Sequence, residues 1–304
     1  MVLLLAFLAL AACGTSQEDT GSSQPQGASL RITLGTQVFP EARILGELWR
    51  QALAVNGYTV DLRKGVGPAE DLDALLQEGE IDGYVAYTGT VLSIVAGEDV
   101  TGLDPEETYE KAKAFYETRD MEMSAMTPFE NKDAIATTSR FAQRERLRSI
   151  ADLAELPSFT LAARPEFESL YLGLEGLEDL YGISNAEFAP VPVGRQYQAL
   201  DSGRADAVDA FTTDSQLREG DYQVLEDPEL LFGSQNVVMV VGSDELERVG
   251  KQTFLEVVDT VNGLLTQDQM VSLNAAVTGG QNEEDVANAF LRQAGLLTPI
   301  GGEG

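Results

Sequence analysis

The sequence predicts an α/β protein built from two similar lobes, on three observations. From Leu30 onward, stretches with strand-like alternation and stretches with helical spacing succeed one another, the pattern of α/β architecture. A unit also recurs: LLQEGEIDGYVAYTGT (75–90) aligns without a gap on ALDSGRADAVDAFTTD (199–214). Gly79 meets Gly203, Asp82 meets Asp206, Tyr87 meets Phe211 and Thr88 meets Thr212, at a constant offset of 124. Finally, three helical stretches close the chain with no strands of their own to cover, so they are expected to pack back on the first lobe.

The elements follow in order. Leu30, Ile32 and Leu34 alternate as in a strand, and Ile44, Leu45, Leu48, Trp49, Ala52 and Leu53 recur at helical spacing. Thr59 to Val66 reads as strand, Pro68 to Glu78 as helix and Ile81 to Tyr87 as a buried strand. Pro105 to Thr118 is a helix, Met121 to Phe129 extended and Ala134 to Thr138 a short strand. The second set has helices at Ile150 to Leu156, Glu166 to Tyr181 and Tyr197 to Ser202, with strands at Phe159 to Ala163, Glu187 to Val193 and Ala205 to Phe211. Strands at Tyr222 to Leu225 and Val237 to Val241 precede the helices Asp244 to Leu264, Gln267 to Val277 and Asn282 to Gly295.

Ahead of these elements, eleven apolar residues run from Val2 to Ala12, too few to span a bilayer but the length of a signal-peptide core. Leu10-Ala11-Ala12-Cys13-Gly14 resembles the bacterial lipobox, in which the cysteine is lipidated, although no Lys or Arg precedes the apolar run. Residues 1–13 are therefore expected to be a lipoprotein signal peptide with Cys13 as its lipidation site. Residues 14–29, rich in Ser, Gln, Gly, Glu and Pro, are expected to be a flexible tether. Cys13 is the single cysteine, so no disulfide forms within the chain.

Twenty basic against fifty acidic residues give a net charge of -30, which argues against phosphate-backbone binding. The acidic excess is in the main a solvated surface; it also steers cations over a screening length of about 8 Å. Histidine is absent, which excludes Ser-His-Asp and Cys-His machinery and ordinary zinc sites. No calcium loop, phosphate loop or nucleophile elbow is present. Neither a metal nor a cofactor is expected.

In α/β sheets ligands gather at the carboxyl ends of strands, beside the helix N-termini that follow. Tyr87 and Phe211 occupy such tips in equivalent places, so they are expected to face one another across a cleft. Asp82 and Asp206 have a plainer reading as acids that close local turns.

These residues resemble the substrate-binding proteins of glycine betaine, choline and carnitine ABC transporters. The resemblance runs from Gly35 to Leu297 and rests on ILGELWRQALAVNGYTV (44–60), EGEIDGYVAYTGT (78–90), SIADLAEL (149–156), YQALDSGRADAV (197–208), TTDSQL (212–217) and LEDPELLF (225–232). It implies a type II periplasmic-binding-protein fold, two α/β lobes joined by a two-crossing hinge, with 30–133 and 213–304 forming lobe 1 and 134–212 lobe 2. It also implies an aromatic cage for a trimethylammonium head. Such a head donates no hydrogen bond, and each ring face contributes roughly 0.5 to 2 kcal/mol once desolvated.

Carried over by position, the resemblance assigns ligand contacts to Tyr87, Thr88, Thr90, Tyr197, Phe211 and Thr212. Asp133 stands where the family commonly has a tyrosine, Gln37 where it has a lysine, and Leu170 where an arginine often follows Glu-Phe. With two cations gone and an acid added, the expected ligand is choline, ahead of glycine betaine, carnitine or ergothioneine, unless Arg195 restores anion binding. A carboxylate and an ammonium 4 Å apart interact by about 4 kcal/mol before desolvation at an effective dielectric near 20.

The resemblance further implies a lipid-anchored, extracytoplasmic receptor that serves an ABC permease and its ATPase subunit. A sensory module that feeds no transporter is an alternative. A secreted enzyme using paired carboxylates is another, which no acid pair in the sequence favours.

Overall fold

The computed structural model describes residues 30–298. The predicted signal peptide, Cys13, the tether and the last six residues lie outside them.

Strand β1 (Arg31–Gly35) buries Ile32 and Leu34, as the alternation requires. Helix α1 (Pro40–Val55) starts on a proline, whose fixed φ and missing N–H suit a first turn. Its stripe of Ile44, Leu45, Leu48, Trp49, Ala52 and Leu53 is buried. β2 (Thr59–Arg63) pairs parallel with β1, and α2 (Ala69–Gln77) leads to β3 (Gly83–Tyr87), all five residues of which are buried. A helical turn, α3 (Thr88–Thr90), runs directly from β3 into a π-helical segment, Val91–Ala96. A capping box of Asp104 and Glu107 opens α4 (Pro105–Glu117), which returns the chain to β4 (Met121–Met123).

In the second lobe β5 (Asp133–Thr138) precedes α5 (Ser139–Glu145), a helix absent from the sequence expectation. β6 (Phe159–Ala163), α6 (Leu174–Tyr181), β7 (Ala186–Pro190), α7 (Gln196–Asp201) and β8 (Ala207–Phe211) follow. The short α8 (Gln216–Glu219) and β9 (Tyr222–Val224) end this set. The chain then returns to the first lobe with β10 (Val237–Gly242), α9 (Ser243–Val249), α10 (Lys251–Leu264), α11 (Gln267–Thr278) and α12 (Glu283–Gln293).

The two sheets share one topology: β2-β1-β3-β10-β4 and β7-β6-β8-β5-β9. In each, three parallel strands meet an antiparallel fourth. The repeat is therefore structural, since β3 and β8 are central strands that start at Gly83 and Ala207, at the repeat's offset. The two repeat aspartates are structural, but they bridge neighbouring strands and close no local turn. Asp82 accepts the Thr33 N–H at 2.6 Å and Asp206 accepts the Thr160 N–H at 3.0 Å. Each fastens the central strand to its parallel neighbour.

Three departures from the expected elements have local causes. The helix expected over Glu166 to Tyr181 is a 3-10 turn, Pro165–Ser169, and then α6, separated where Gly173 packs against the Phe167 carbonyl. That expected over Asp244 to Leu264 breaks at Gly250, whose φ of 90° lies outside the helical region. The lobe boundary at 212 also falls short. β9 pairs with β5, and Leu225, Leu231 and Phe232 sit in the core of the second lobe, so that lobe extends past Phe232.

The C-terminal helices pack against α1 and β10 in the core of the first lobe, with Trp49, Phe254, Val258, Met270 and Leu291 all buried there. Among the described residues no helix is long and apolar enough to cross a membrane. The lobes are joined at 129–132 and 233–236, where Glu130 and Asn236 form an antiparallel bridge between the two crossings.

Candidate functional site

The carboxyl ends of β1 and β3 in one lobe, and of β6 and β8 in the other, carry most of the residues singled out by sequence. Tyr87 ends β3 with its side chain buried. Its hydroxyl donates to Glu41 Oε1 at 3.0 Å and its ring packs on that of Phe39, centroids 5.7 Å apart. Gln37, just past β1, donates from Nε2 to the Val85 carbonyl at 2.8 Å.

The Thr-Gly-Thr segment is a docking point for the second crossing. Thr88 N–H donates to the Asn236 carbonyl, and both the N–H and the hydroxyl of Thr90 reach Gln235 Oε1, at 3.0 and 3.2 Å. A Cβ on Gly89 would lie 2.5 Å from the Ser234 carbonyl oxygen, so the close approach of the crossing requires glycine there. Thr212 is likewise a crossing residue. Its hydroxyl donates to the Glu130 carbonyl at 2.9 Å and accepts the Lys132 N–H at 3.1 Å.

Asp133 and Phe211 are register partners on β5 and β8. Asp133 is not the free acid expected from sequence. It takes a two-point ion pair from Arg164, Nη1 to Oδ1 at 2.6 Å and Nη2 to Oδ2 at 3.1 Å. Arg164 also reaches Asp209 Oδ2 at 2.5 Å and lies over the Phe167 and Phe211 rings, 5.4 and 5.5 Å from their centroids. The expected arginine position, Leu170, is a partly exposed leucine, and Arg195 lies near Gln198 on its own helix. Tyr197 is buried against Tyr222, centroids 5.1 Å apart, and its hydroxyl donates to Asp214 Oδ2 at 2.8 Å.

The rings of Tyr87, Tyr197 and Phe211 thus have separate partners: Phe39, Tyr222 and Arg164. What joins the first two is a polar chain that sequence reasoning missed. Glu41 accepts from Tyr87, from Asn131 Nδ2 at 2.9 Å and from Asn274 Nδ2 at 2.7 Å, and Thr213 adds a further side-chain hydrogen bond. Asp214, the next residue, holds Tyr197. Each tyrosine hydroxyl therefore ends on a carboxylate, and the two carboxylates are linked through Thr213-Asp214.

Burial sets the electrostatics. It pushes the Glu41 carboxyl up, with the four hydrogen bonds opposing. It pushes Asp209 well up, aided by the neighbouring Asp133 charge, and raises Asp214. Burial pulls Arg164 down, but Asp133 and Asp209 outweigh it and keep the guanidinium charged. The Tyr87 hydroxyl is raised by burial and then by Glu41, so it stays a donor. Of the four acids Glu41, Asp133, Asp209 and Asp214, Arg164 pairs with Asp133 and Asp209, while Lys132 is taken by Glu130 at 2.9 Å. Among the described residues no cluster of acids is arranged to hold a metal ion.

Glu41 and Arg164 had weak signals in the sequence. Arg164 directly follows the strand FTLAA, a carboxyl-end position, and Glu41 sits in the first turn of the helix after β1. Only the folded chain shows which partners they meet.

A family model described as the substrate-binding domain of ABC-type glycine betaine transport systems matches residues 31–293. The ergothioneine transport permease/ergothioneine binding protein EgtU of Helicobacter pylori (strain G27) is 23% identical over 269 residues, 87% of this chain and 48% of that protein. The chain thus spans about half the length of that relative. A crystal structure of a glycine betaine/carnitine/choline ABC transporter superposes with a TM-score of 0.78 at 21% identity, covering 88% of this chain and 99% of the other. Apo YehZ from Escherichia coli does so with a TM-score of 0.72 at 23% identity, again covering 88% and 99%. Both share the two-lobed fold, the expected periplasmic-binding-protein architecture. With the family model covering nearly all the described residues, the chain belongs to the substrate-binding domains of ABC-type glycine betaine transport systems.

Proposed function

We propose that this chain is the extracytoplasmic solute receptor of an ABC importer, tethered through a lipid on Cys13. It binds a small quaternary amine between its lobes and hands it to a permease worked by an ATPase subunit. Choline is the favoured ligand; glycine betaine, carnitine and ergothioneine are the competitors. Tyr87, Tyr197 and Phe211 supply ring faces, with Gln37, Thr88, Thr90, Asp133 and Thr212 around them.

The observation that carries this reading is the cluster of acids at the strand ends, Glu41, Asp133, Asp209 and Asp214, of which Arg164 pairs with Asp133 and Asp209. The preference for a cation does not depend on Asp133, which Arg164 neutralises. It rests on the carboxylates behind the two tyrosines. A hydroxyl that donates to a carboxylate leaves its ring richer in electron density, and a ring held in this way attracts an ammonium more strongly. A ligand carboxylate would instead meet buried acids, at a cost of several kcal/mol for like charges brought together out of water.

A thermal-shift panel of choline, glycine betaine, carnitine and ergothioneine tests the reading. A ligand at a hundred times its dissociation constant stabilises the native state by about 2.7 kcal/mol, and choline is expected to give the largest shift. A panel in which no quaternary amine moves the melting temperature refutes it.

A further inference from the structure

The net charge of -30 is shared between the two lobes. Residues 30–132 together with 233–298 hold 28 acidic and 12 basic residues, a formal charge of -16, and residues 133–232 hold 19 and 8, a charge of -11. Two bodies of one sign are thus joined by a hinge. Any movement that brings them together works against their repulsion.

The contacts between the lobes show where like charges meet. Leu172, in the loop before α6, packs against the first-lobe core cluster that contains Val100, and the Gly102 N–H donates to the Leu230 carbonyl at 3.4 Å. The loop 97–103 of one lobe therefore faces the loop 165–173 of the other. Glu98 and Asp99 on the first, and Glu166 and Glu168 on the second, are all exposed. Tyr171 lies between such charges: its hydroxyl donates to Asp179 Oδ2 at 3.1 Å and is raised first by that bond, and Asp99 of the opposite lobe adds to the rise.

Elsewhere the lobes are fastened together. Gln267 of α11 donates to the Glu130 and Thr212 carbonyls at 3.2 and 2.9 Å, and Asn274 of the same helix donates to the Thr213 carbonyl at 3.3 Å. These bonds join neutral groups, so salt leaves them in place. Arg218 of α8 pairs with Asp268 of α11, but both side chains are exposed, and such a pair contributes little.

We propose that ionic strength sets the resting separation of the lobes: α11 fastens them at the hinge, like charges on the facing loops hold them apart, and added salt lets them approach. The screening length is about 30 Å at 0.01 M salt, about 8 Å at 0.15 M and about 3 Å at 1 M. In dilute salt whole lobes repel, whereas in concentrated salt only charges close to contact do. Closure around a solute becomes easier as the surroundings become saltier. The inference rests on the hinge between the lobes and not on which solute is bound, so its test needs no ligand.

Spin labels on Ile94→Cys and Val193→Cys, exposed uncharged positions on opposite lobes, report the separation by pulsed electron paramagnetic resonance in the unliganded chain carrying Cys13→Ser. The mean distance is expected to shorten as sodium chloride rises from about 0.01 M to about 0.5 M. With Glu98→Gln, Asp99→Asn, Glu166→Gln and Glu168→Gln added, the lobes are expected to stand closer in dilute salt and to shift less. A distance indifferent to salt overturns the proposal. So does one that lengthens with salt, which would make the Arg218–Asp268 pair the governing charge contact. A neutralised variant that melts cooperatively and keeps the full shift overturns it as well. Each of these results leaves the quaternary-amine reading standing.

Discussion

Arg164 and Asp133 meet through two hydrogen bonds, and the same guanidinium reaches Asp209, so one cation holds the ends of β5, β6 and β8 together. Removing a partner from such a group strands buried charge. Arg164→Met is expected to destabilise the protein by about 3–5 kcal/mol. Asp133→Asn is expected to cost less, because Asp209 still pairs with the guanidinium. Urea midpoints of the two variants check the order, and a milder effect for Arg164→Met contradicts it.

Glu41 is surrounded by donors, two of them amide groups that cannot accept in those contacts. Glu41→Gln forces an NH2 group against one of these donors, at an expected cost of about 1–3 kcal/mol. Tyr87→Phe removes a single donor and is expected to cost about 0.5–1.5 kcal/mol. Chemical denaturation ranks the pair, with Glu41→Gln the more damaging.

Gly89 lets the second crossing lie against the tip of β3. Gly89→Ala sets a methyl 2.5 Å from the Ser234 carbonyl oxygen and 3.0 Å from the Gln235 side chain. The first clash is with backbone, so relief requires the crossing to move. A loss of about 1–3 kcal/mol is expected, together with weaker ligand binding, read by melting with and without choline.

How much of this was legible in the sequence depends on the distance between partners. The central strands and their fastening acids were readable because Gly79, Asp82 and Tyr87 recur as Gly203, Asp206 and Phe211. The aromatic tips were readable for the same reason. Asp133 misled because its partner, Arg164, lies beyond α5 and the 3-10 segment Ile150–Glu155 and is found only when β6 is laid near β5. Glu41 was invisible in another way: an acid in the first turn of a helix is ordinary, and only its burial among Tyr87, Asn131 and Asn274 sets it apart. The boundary at 212 was misplaced because the three-residue β9 carries no period long enough to say which sheet it joins.

The acids at the site give a pH dependence. The carboxyls of Glu41, Asp209 and Asp214 are raised in the folded state, so the native protein holds protons that the unfolded chain releases between the ordinary carboxylate range and the raised values. Their contribution to stability is fully present at low pH and is lost as pH rises through the raised values. The unliganded protein is therefore expected to gain stability from these groups as pH falls from the raised values toward the ordinary carboxylate range. Choline binding is expected to weaken over the same interval as the acids lose charge. Melting curves with and without choline across that range should converge; a ligand-induced shift that grows on acidification contradicts the assignment.

Calorimetric titration with choline and with 3,3-dimethylbutan-1-ol, its neutral isostere with carbon in place of nitrogen, asks directly whether this site reads positive charge. Ring faces backed by Glu41 and Asp214 predict firm binding of choline and at least a hundredfold weaker binding of the alcohol, about 2.7 kcal/mol. Comparable affinities would mean that shape and apolar contact govern recognition, and that the buried acids have no part in it.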